Sequence, residues 1–236
     1  MTNASFGLDP ILTGVIFTPI FYFLGVGVYR IYYASFEKKG TESLRGLVFF
    51  FGIIFIVEVA LILQYGVDYR LIEAAYIGQS IQIGPVGIAF RLLVPFLVAV
   101  VLTLALHLFL SKTFYGRAVQ AVSQDSLALR LMGADPIRIK TLAFGLGIAT
   151  ASLAGALLIV IGPVEPSMNR EYIGRVFAIA VLGGMGNIGG TFLAALILGV
   201  VESLMSTFYG PSWALAVSFG VLLLTLAVRP AGLFGR

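Results

Sequence analysis

Residues 46–66, GLVFFFGIIFIVEVALILQYG, form an apolar run that contains one charged side chain, Glu58. A helix needs about 20 apolar residues to cross the hydrocarbon core of a bilayer, and this run has that length. Further apolar runs cover residues 10–29, 88–110, 141–162, 176–182, 191–205 and 213–228. The sequence therefore predicts an all-α fold, a polytopic transmembrane helical bundle of about seven spans, in a single domain over residues 1–236.

The composition excludes a soluble enzyme or binding module. The chain of 236 residues is 59% hydrophobic and 11% charged, with a mean hydropathy of +1.03. A soluble domain carries roughly 25% charged residues, so these charges are too few to cover a water-facing surface. The chain has no cysteine and a single histidine, His107. We predict membrane lipid as its surroundings, with no catalytic residue, no metal site, no cofactor and no nucleic-acid partner.

The distribution of Lys and Arg predicts the orientation. Of the 15 such residues, eleven fall in one set of loops and chain ends, and the other set holds only Arg70, Arg91, Arg170 and Arg175. Because cytoplasmic loops carry the excess of Lys and Arg, the richer set is expected inside the cell. The N-terminus is then outside and the C-terminus cytoplasmic, which requires an odd number of spans.

A glycine cluster follows the short apolar run at residues 176–182, which cannot cross a bilayer alone. Its members are Gly183, Gly184, Gly186, Asn187, Gly189 and Gly190. Glycine is costly inside a helix, so we predict a broken or re-entrant fifth helix here. Interrupted helices often border the substrate sites of transporters, and a tight hairpin between two spans is the equally weighted alternative.

Three features of the other spans bear on packing and function. Glu58 lies slightly past the middle of the second span, where an ionisable group is either functional or a hydrogen-bonded packing residue. Glu202, near the outer end of the sixth span, is interpreted as interfacial. The fourth span carries a small residue at every fourth position, which predicts close helix packing on one stripe: Ala143, Gly147, Ala151 and Gly155.

The polar segment at residues 113–140 is the largest predicted cytoplasmic element. It predicts two short helices, residues 117–122 and 126–132, with Gly133 ending the second. Asp135 and Pro136 supply an N-cap and a first residue for the helix that enters the fourth span. Ala118, Val122, Leu127 and Leu131 are expected to form its apolar side. Two interpretations remain open, a knob that docks into a cytoplasmic protein and an amphipathic interfacial segment.

Three separated motifs resemble the permeases of branched-chain amino acid ABC transporters. The first lies in GRAVQAVSQDSLALRLMGADPIRIK, and its matching positions are Gly116, Arg117, Ala118, Ala121, Gln124, Asp125, Met132 and Gly133. The second is VLGGMG at residues 181–186 followed by Gly190, and the third is RPAGLFG at residues 229–235. The motifs stand in the family's order and cover residues 117–236, whereas the first hundred or so residues match loosely.

The resemblance implies a membrane-spanning permease subunit of an ATP-driven importer for branched-chain or related amino acids, in the inner membrane of a bacterial or archaeal cell. Its implied partners are cytoplasmic ABC ATPase subunits, a related but different second permease subunit and an extracytoplasmic solute-binding protein. Residues 117–133 are then the ATPase-coupling segment, with Ser126 and Leu127 in its docking part.

The chain has no Walker A sequence, because its Lys-Thr pairs at residues 112–113 and 140–141 follow Ser and Ile instead of Gly. ATP hydrolysis is therefore expected on a separate subunit, and this chain is not expected to be an enzyme. The substrate is left open between branched-chain amino acids, urea and amides.

Two other functions remain open. An ion- or proton-coupled secondary transporter or channel would use Glu58. An inactive, truncated permease is suggested by the start of the chain, MTNASFGLDPIL, which looks like the point where a second or third family helix begins. The family's usual N-terminal span with an FAHG-like sequence is absent, so any contacts that this span makes are in doubt.

Overall fold

The computed structural model describes residues 9–37, 42–71, 78–83, 86–184, 186–229 and 232–233. The chain divides into two compact units, the first formed by residues 1–100 and 124–167 and the second by residues 101–123 and 168–236. The helices are α1 (Pro10–Ser35), α2 (Glu42–Tyr65), α3 (Phe90–Lys112), α4 (Phe114–Gln124), α5 (Ser126–Leu131), α6 (Pro136–Ile161), α7 (Asn169–Gly183), α8 (Ile188–Tyr209) and α9 (Pro211–Val228).

Two short elements complete the fold of the described residues. An antiparallel hairpin, β1 (Ser80–Ile83) and β2 (Val86–Ala89), precedes α3 and pairs Ser80 with Ala89. A 3-10 turn, Pro166–Met168, leads into α7. In the first unit, Arg70 and Val164 exchange two backbone hydrogen bonds of 2.9 and 3.0 Å, which join the chain beyond α2 to the chain beyond α6.

Six helices in the described part of the chain are long and apolar enough to cross a membrane: Pro10–Ser35, Arg45–Tyr65, Phe90–Lys112, Pro136–Ile161, Ile188–Tyr209 and Pro211–Val228. Large apolar side chains point outward from them, for example Phe23, which is 69% exposed, and Leu63, which is 83% exposed. Lipid explains such exposure, because hydrocarbon solvates these side chains. The predicted polytopic helical bundle is confirmed, and the chain is a multi-pass membrane protein.

The fifth predicted segment is the short helix α7. It has 15 residues and starts at Asn169, before the apolar run. At 1.5 Å per residue α7 is about 22 Å long, which is less than the roughly 30 Å of a hydrocarbon core. It ends where the glycine cluster begins. Gly174, in the first half of α7, packs on the ring of Phe219 near the middle of α9, and Gly183, at the end of α7, packs on Thr191 near the start of α8.

In the first unit, α1 and α6 pack along their length through small residues. A Cβ at Gly14 would lie 2.6 Å from Cβ of Ala156, and a Cβ at Gly25 would lie 2.9 Å from Cβ of Ile148. On the α6 side, a Cβ at Gly145 would lie 2.8 Å from Cε2 of Tyr22. Such separations are below van der Waals contact, so only glycine allows the two backbones this close.

The predicted stripe on α6 is wrong in register. Gly147 and Gly155 are exposed, and apart from the neighbouring residues and backbone of α6 itself no described atom lies within 4 Å of a Cβ placed at either position. The contact with α1 instead uses Gly145 and the buried Ala149, which lie on a neighbouring stripe. Both stripes are built from small residues, and the packing partner decides between them.

In the second unit, α7, α8 and α9 enclose a core of Ala178, Val181, Leu198 and Leu222. The interpretation of Glu202 as interfacial is wrong. Its side chain is only 17% exposed, and it faces neighbouring helices instead of headgroups.

We predict that Gly145→Leu and Gly147→Leu affect stability differently. The first substitution would overpack the α1–α6 contact, which costs about 1–3 kcal/mol, whereas the second places its side chain in open space and gains about 1 kcal/mol of helix propensity over glycine. The detergent-solubilised Gly145→Leu chain should therefore unfold at a lower temperature by circular dichroism, and Gly147→Leu at an unchanged or higher one. Equal midpoints for the two variants would show that the α1–α6 contact is assigned to the wrong stripe.

Candidate functional site

The candidate docking segment, residues 113–133, begins with a sharp turn that requires glycine. Thr113 caps α4, because its Oγ1 accepts a hydrogen bond of 3.0 Å from the backbone N–H of Gly116 and donates one of 2.7 Å to the carbonyl of Phe109. A Cβ at Gly116 would collide with the backbone of Phe109 and Leu110 at the end of α3. Gly116, the first residue of the family motif, therefore allows the start of α4 to approach the end of α3 closely in the second unit.

The second half of the segment belongs to the first unit and is defined by its caps. Oδ1 of Asp125 accepts hydrogen bonds of 2.8 and 2.9 Å from the N–H groups of Leu127 and Ala128, which fixes the start of α5. Gly133 ends it with φ = +83°. Asp135 then caps α6 through a 3.0 Å bond from the N–H of Ile137. The predicted roles of Gly133, Asp135 and Pro136 are confirmed, while α4 begins earlier than expected, at Phe114.

The apolar residues of the segment face different surroundings. Ala118 and Val122 in α4 are buried, as expected of an apolar side. In α5 the buried residue is Leu129, whereas Leu127 and Leu131 are 68% and 82% exposed. The residues predicted to form the apolar side therefore divide into a buried pair in α4 and an exposed pair in α5. Because Leu129 is two residues from each of the other leucines, about 200° around the helix, it lies on the opposite face and is the one that packs.

The exposed tip of the segment combines large apolar side chains with charges. Met132 is 85% exposed and, with Leu127 and Leu131, forms what we call the α5 tip. Exposed polar residues lie beside it in the same unit, namely Gln124, Asp125 and Arg130, and Ser126 is half-buried; in α4, Arg117 is exposed and Ala121 is half-buried. Exposed leucines beside charged side chains suit a protein-docking surface, and docking by this segment stays a prediction.

A polar clamp holds the helix that follows the segment. Nζ of Lys140 in the first turns of α6 lies 2.5 Å from Oε1 of Glu37, just beyond the end of α1. Oη of the buried Tyr29 donates a 2.7 Å hydrogen bond to Oε2 of the same carboxylate. The Glu37 side chain is only 11% exposed, so water screens the pair weakly. Sequence reasoning missed this clamp, because nothing local links residues 37 and 140.

An open cleft of about 740 Å³ lies beside α5 in the same unit. It lies between the end of α1 and the residues that join α5 to α6. Its lining includes Tyr33, Glu37, Ser126, Arg130, Ala134 and Ile137.

The glycine cluster forms a tight connection between α7 and α8. The break is confined to residues 184–187: Gly184 has φ = +82° and Gly186 has φ = +87°. Gly183 is the last residue of α7, and Gly189 and Gly190 lie in the first turn of α8. Asn187 caps α8 by accepting a 3.0 Å hydrogen bond from the N–H of Gly190. The break is thus shorter than the cluster and has the geometry of a hairpin between two helices.

The chain beyond α9 closes over this break. The backbone N–H of Leu233 donates a 2.8 Å hydrogen bond to the carbonyl of Leu182. A Cβ at Gly232 would collide with the carbonyl of Val181, and a Cβ at Gly183 would collide with the backbone of Thr191. The second and third family motifs are therefore in direct backbone contact, which their separation in the sequence did not reveal.

Glu58 is buried in α2, with 5% of its surface exposed. It belongs to the first unit and the glycine break to the second, so each is a separate feature. A role for either in translocation stays a prediction. Across the described ranges, no group of three or more His, Cys, Asp or Glu side chains is placed to hold a metal ion.

We predict opposite effects of alanine at two positions of the cluster. In Gly184→Ala the new residue would have to adopt a left-handed conformation, which costs roughly 1–2 kcal/mol for a residue with a Cβ. In Gly189→Ala it would sit in a helical turn with room for its Cβ, where alanine is favoured over glycine by about 1 kcal/mol. In thermal unfolding of the purified chain, Gly184→Ala should lower the midpoint and Gly189→Ala should raise it. The reverse order would contradict the position of the break.

The sequence is similar to known proteins. The family model described as "Branched-chain amino acid transport system / permease component" matches residues 5–226. The high-affinity branched-chain amino acid transport system permease protein BraD of Pseudomonas aeruginosa is 35% identical over 160 residues, 67% of this chain and 52% of that protein.

Two proteins of Salmonella typhimurium that are named as high-affinity branched-chain amino acid transport system permease proteins, LivH and LivM, also match. LivH is 38% identical over 134 residues, 56% of this chain and 44% of LivH. LivM is 38% identical over 120 residues, 50% of this chain and 28% of LivM. The chain thus spans about half the length, or less, of these relatives, and no solved structure shows a significant match. Because the family model covers nearly the whole chain, the resemblance is confirmed: the protein belongs to the branched-chain amino acid transport system permease family.

Proposed function

We propose that this chain is a membrane-spanning permease subunit of an ATP-driven ABC importer, and that the importer carries branched-chain or related amino acids across the inner membrane. The proposal is supported by the family, by relatives that are named as permease proteins, and by six helices able to cross a membrane. The α5 tip is the observation that carries the ATP-driven part, because it offers an exposed apolar surface in the segment that connects two membrane helices.

The partners follow from this assignment. ATP hydrolysis resides on cytoplasmic ABC ATPase subunits, one of which receives the α5 tip in a surface groove. An extracytoplasmic solute-binding protein delivers the substrate to the opposite side. The chain resembles both LivH and LivM, which are two different permease proteins of one organism. This double resemblance supports a related but different chain as the second permease subunit.

Movement of the ATPase subunits reaches the membrane helices of the first unit through α6. The link from α5 to α6 is only residues 132–135, and it is capped at both ends by Gly133 and Asp135. A short, capped link transmits displacement better than a flexible one. Lys140 and Glu37 then join α6 to the end of α1, so a push on α5 moves two membrane helices together.

Within this proposal Glu58 in the first unit and the glycine break in the second unit each take part in translocation, as two separate features. A second candidate function, an ion- or proton-coupled transporter or channel, is favoured by the burial of Glu58 in a membrane helix, because intramembrane carboxylates often carry protons. The two functions differ in their need for ATP and for an ionisable group at position 58.

We expect Leu127→Glu to uncouple transport from ATP hydrolysis. The new carboxylate would be desolvated in an apolar docking groove, which costs several kcal/mol and weakens docking by orders of magnitude. Amino acid uptake by cells that express the variant should fall to background while the amount of membrane-inserted chain stays the same. Arg138→Glu, a position 88% exposed in the first turn of α6 and outside the docking segment, is the matched control and should transport normally. Normal uptake by Leu127→Glu would refute docking through the α5 tip.

Glu58→Gln separates the two candidate functions. Glutamine has nearly the same size and retains hydrogen-bonding groups, so an ATP-driven importer should retain most of its uptake. A proton-coupled transporter should lose uptake and its dependence on pH, because glutamine cannot bind or release a proton. Uptake measured at acidic and alkaline pH, with and without depletion of ATP, distinguishes these results.

A further inference from the structure

A charged cluster lies inside the helical bundle of the second unit. Arg175 is in the middle of α7, Glu202 is in α8 and Ser218 is in α9. Nε of Arg175 lies 3.5 Å from Oε1 of Glu202, and the hydroxyl of Ser218 donates a hydrogen bond to the same carboxylate oxygen. Ser218 is completely buried, and the side chains of Arg175 and Glu202 are 23% and 17% exposed. Neither Arg175 nor Ser218 stood out in the sequence.

All three residues lie at a similar depth. Arg175 is six residues from the start of α7, Glu202 is seven from the end of α8 and Ser218 is seven from the start of α9. At 1.5 Å per residue, each is about 9–10 Å inside the end of its helix. The predicted orientation puts these ends on the extracytoplasmic side. Ionisable groups at such a depth are expensive to bury and mark substrate or ion pathways by default.

The two charges differ in how well they are satisfied. Glu202 receives the hydroxyl of Ser218 and faces the guanidinium. Arg175 has five N–H donors, but its two ion pairs, with Glu202 and Glu171, are 3.5 and 3.4 Å long. Charge-assisted hydrogen bonds are typically about 2.7–2.9 Å. Nε of Arg175 is buried and makes no hydrogen bond to any described residue. A mostly buried guanidinium with unused donors is suited to binding a further carboxylate.

We propose that Arg175 and Glu202 form a binding position for the two charged ends of an amino acid as it crosses the membrane. The guanidinium binds the α-carboxylate and the Glu202 carboxylate binds the α-ammonium, while Ser218 holds Glu202 in place. The exchange replaces one ion pair by two and leaves the net charge unchanged, so a zwitterion could enter a medium of low dielectric constant without an unpaired charge. This inference rests on the proposed function, because it assigns the residues that contact the substrate.

Binding of three ligands to the purified full-length chain tests the inference. The probes are leucine, leucinamide, which lacks the carboxylate, and 4-methylpentanoate, which lacks the ammonium group, and saturation-transfer NMR reports their affinities. Each analogue should bind roughly tenfold more weakly than leucine or worse, the scale of one charge-assisted hydrogen bond. This comparison uses the unaltered protein, so misfolding of a variant cannot explain it. Equal binding of leucine and leucinamide would overturn the assignment of Arg175.

Variants then assign each charge to its residue. Arg175→Lys keeps the positive charge but loses the bidentate geometry, so leucine should bind more weakly and the difference between leucine and leucinamide should shrink. Glu202→Gln should shrink only the difference between leucine and 4-methylpentanoate. Arg170→Lys, an exposed position on the same helix, is the matched control and should retain both differences. If Arg175→Lys and Glu202→Gln retain both differences, the pair joins helices and does not bind substrate.

Failure of this inference is distinguishable from failure of the proposed function. Leucine uptake by Arg175→Lys at the unaltered rate, in cells that need this chain for uptake, would leave the importer in place and remove the binding position. Uptake that is unaffected by deletion of the whole chain would instead overturn the proposed function.

Discussion

Close approach between backbones at glycine is the constraint on which both units depend. Within a bilayer, apolar surface gains nothing by leaving lipid for another helix, so association relies on tight van der Waals packing and on hydrogen bonds. In the first unit Gly14, Gly25 and Gly145 bring α1 and α6 together. In the second unit Gly183 and Gly232 bring together three separate parts of the chain. These glycine contacts also position the two ion pairs, Glu37–Lys140 and Arg175–Glu202, since each ion pair joins parts of the chain that glycine allows to approach closely.

The membrane helices could be predicted from sequence because their length and apolarity are set by the bilayer, whatever their neighbours are. Helix ends were predictable where a cap is local, as with Asp125 and Asp135. The packing face of α6 was not, because Gly145 and Gly147 are equally small. The side chains of α1, above all Tyr22, select Gly145. In α5 likewise, a helix too short for a periodic pattern gave no indication that Leu129 alone would be buried.

The charged pairs were hidden from the sequence for a related reason. Glu37 and Lys140 are 103 residues apart, and Arg175 and Glu202 belong to helices whose rotation about their axes no local pattern determines. Each charge taken singly looks like an end-of-helix residue, which is why the sequence favours an interfacial position for Glu202. A charge near the end of a span has two possible environments, solvent and a neighbouring helix. Which environment the charge has depends on the residues that face it, such as Ser218, and nothing in the sequence marks those residues as its partners.

The Glu37–Lys140 and Arg175–Glu202 ion pairs differ in how far their attraction offsets the cost of burying their charges. The Glu37–Lys140 pair is close, at 2.5 Å, and the 2.7 Å hydrogen bond from Tyr29 to the same carboxylate adds to the attraction that offsets the cost of burying the two charges. The Arg175–Glu202 pair is 3.5 Å apart, and this separation recovers little of the cost of removing both charges from water. Apolar side chains of similar size would hold α7 against α8 at least as well. Stability alone therefore accounts for the first pair but not for the second, whose loose geometry is better explained by a ligand that completes it.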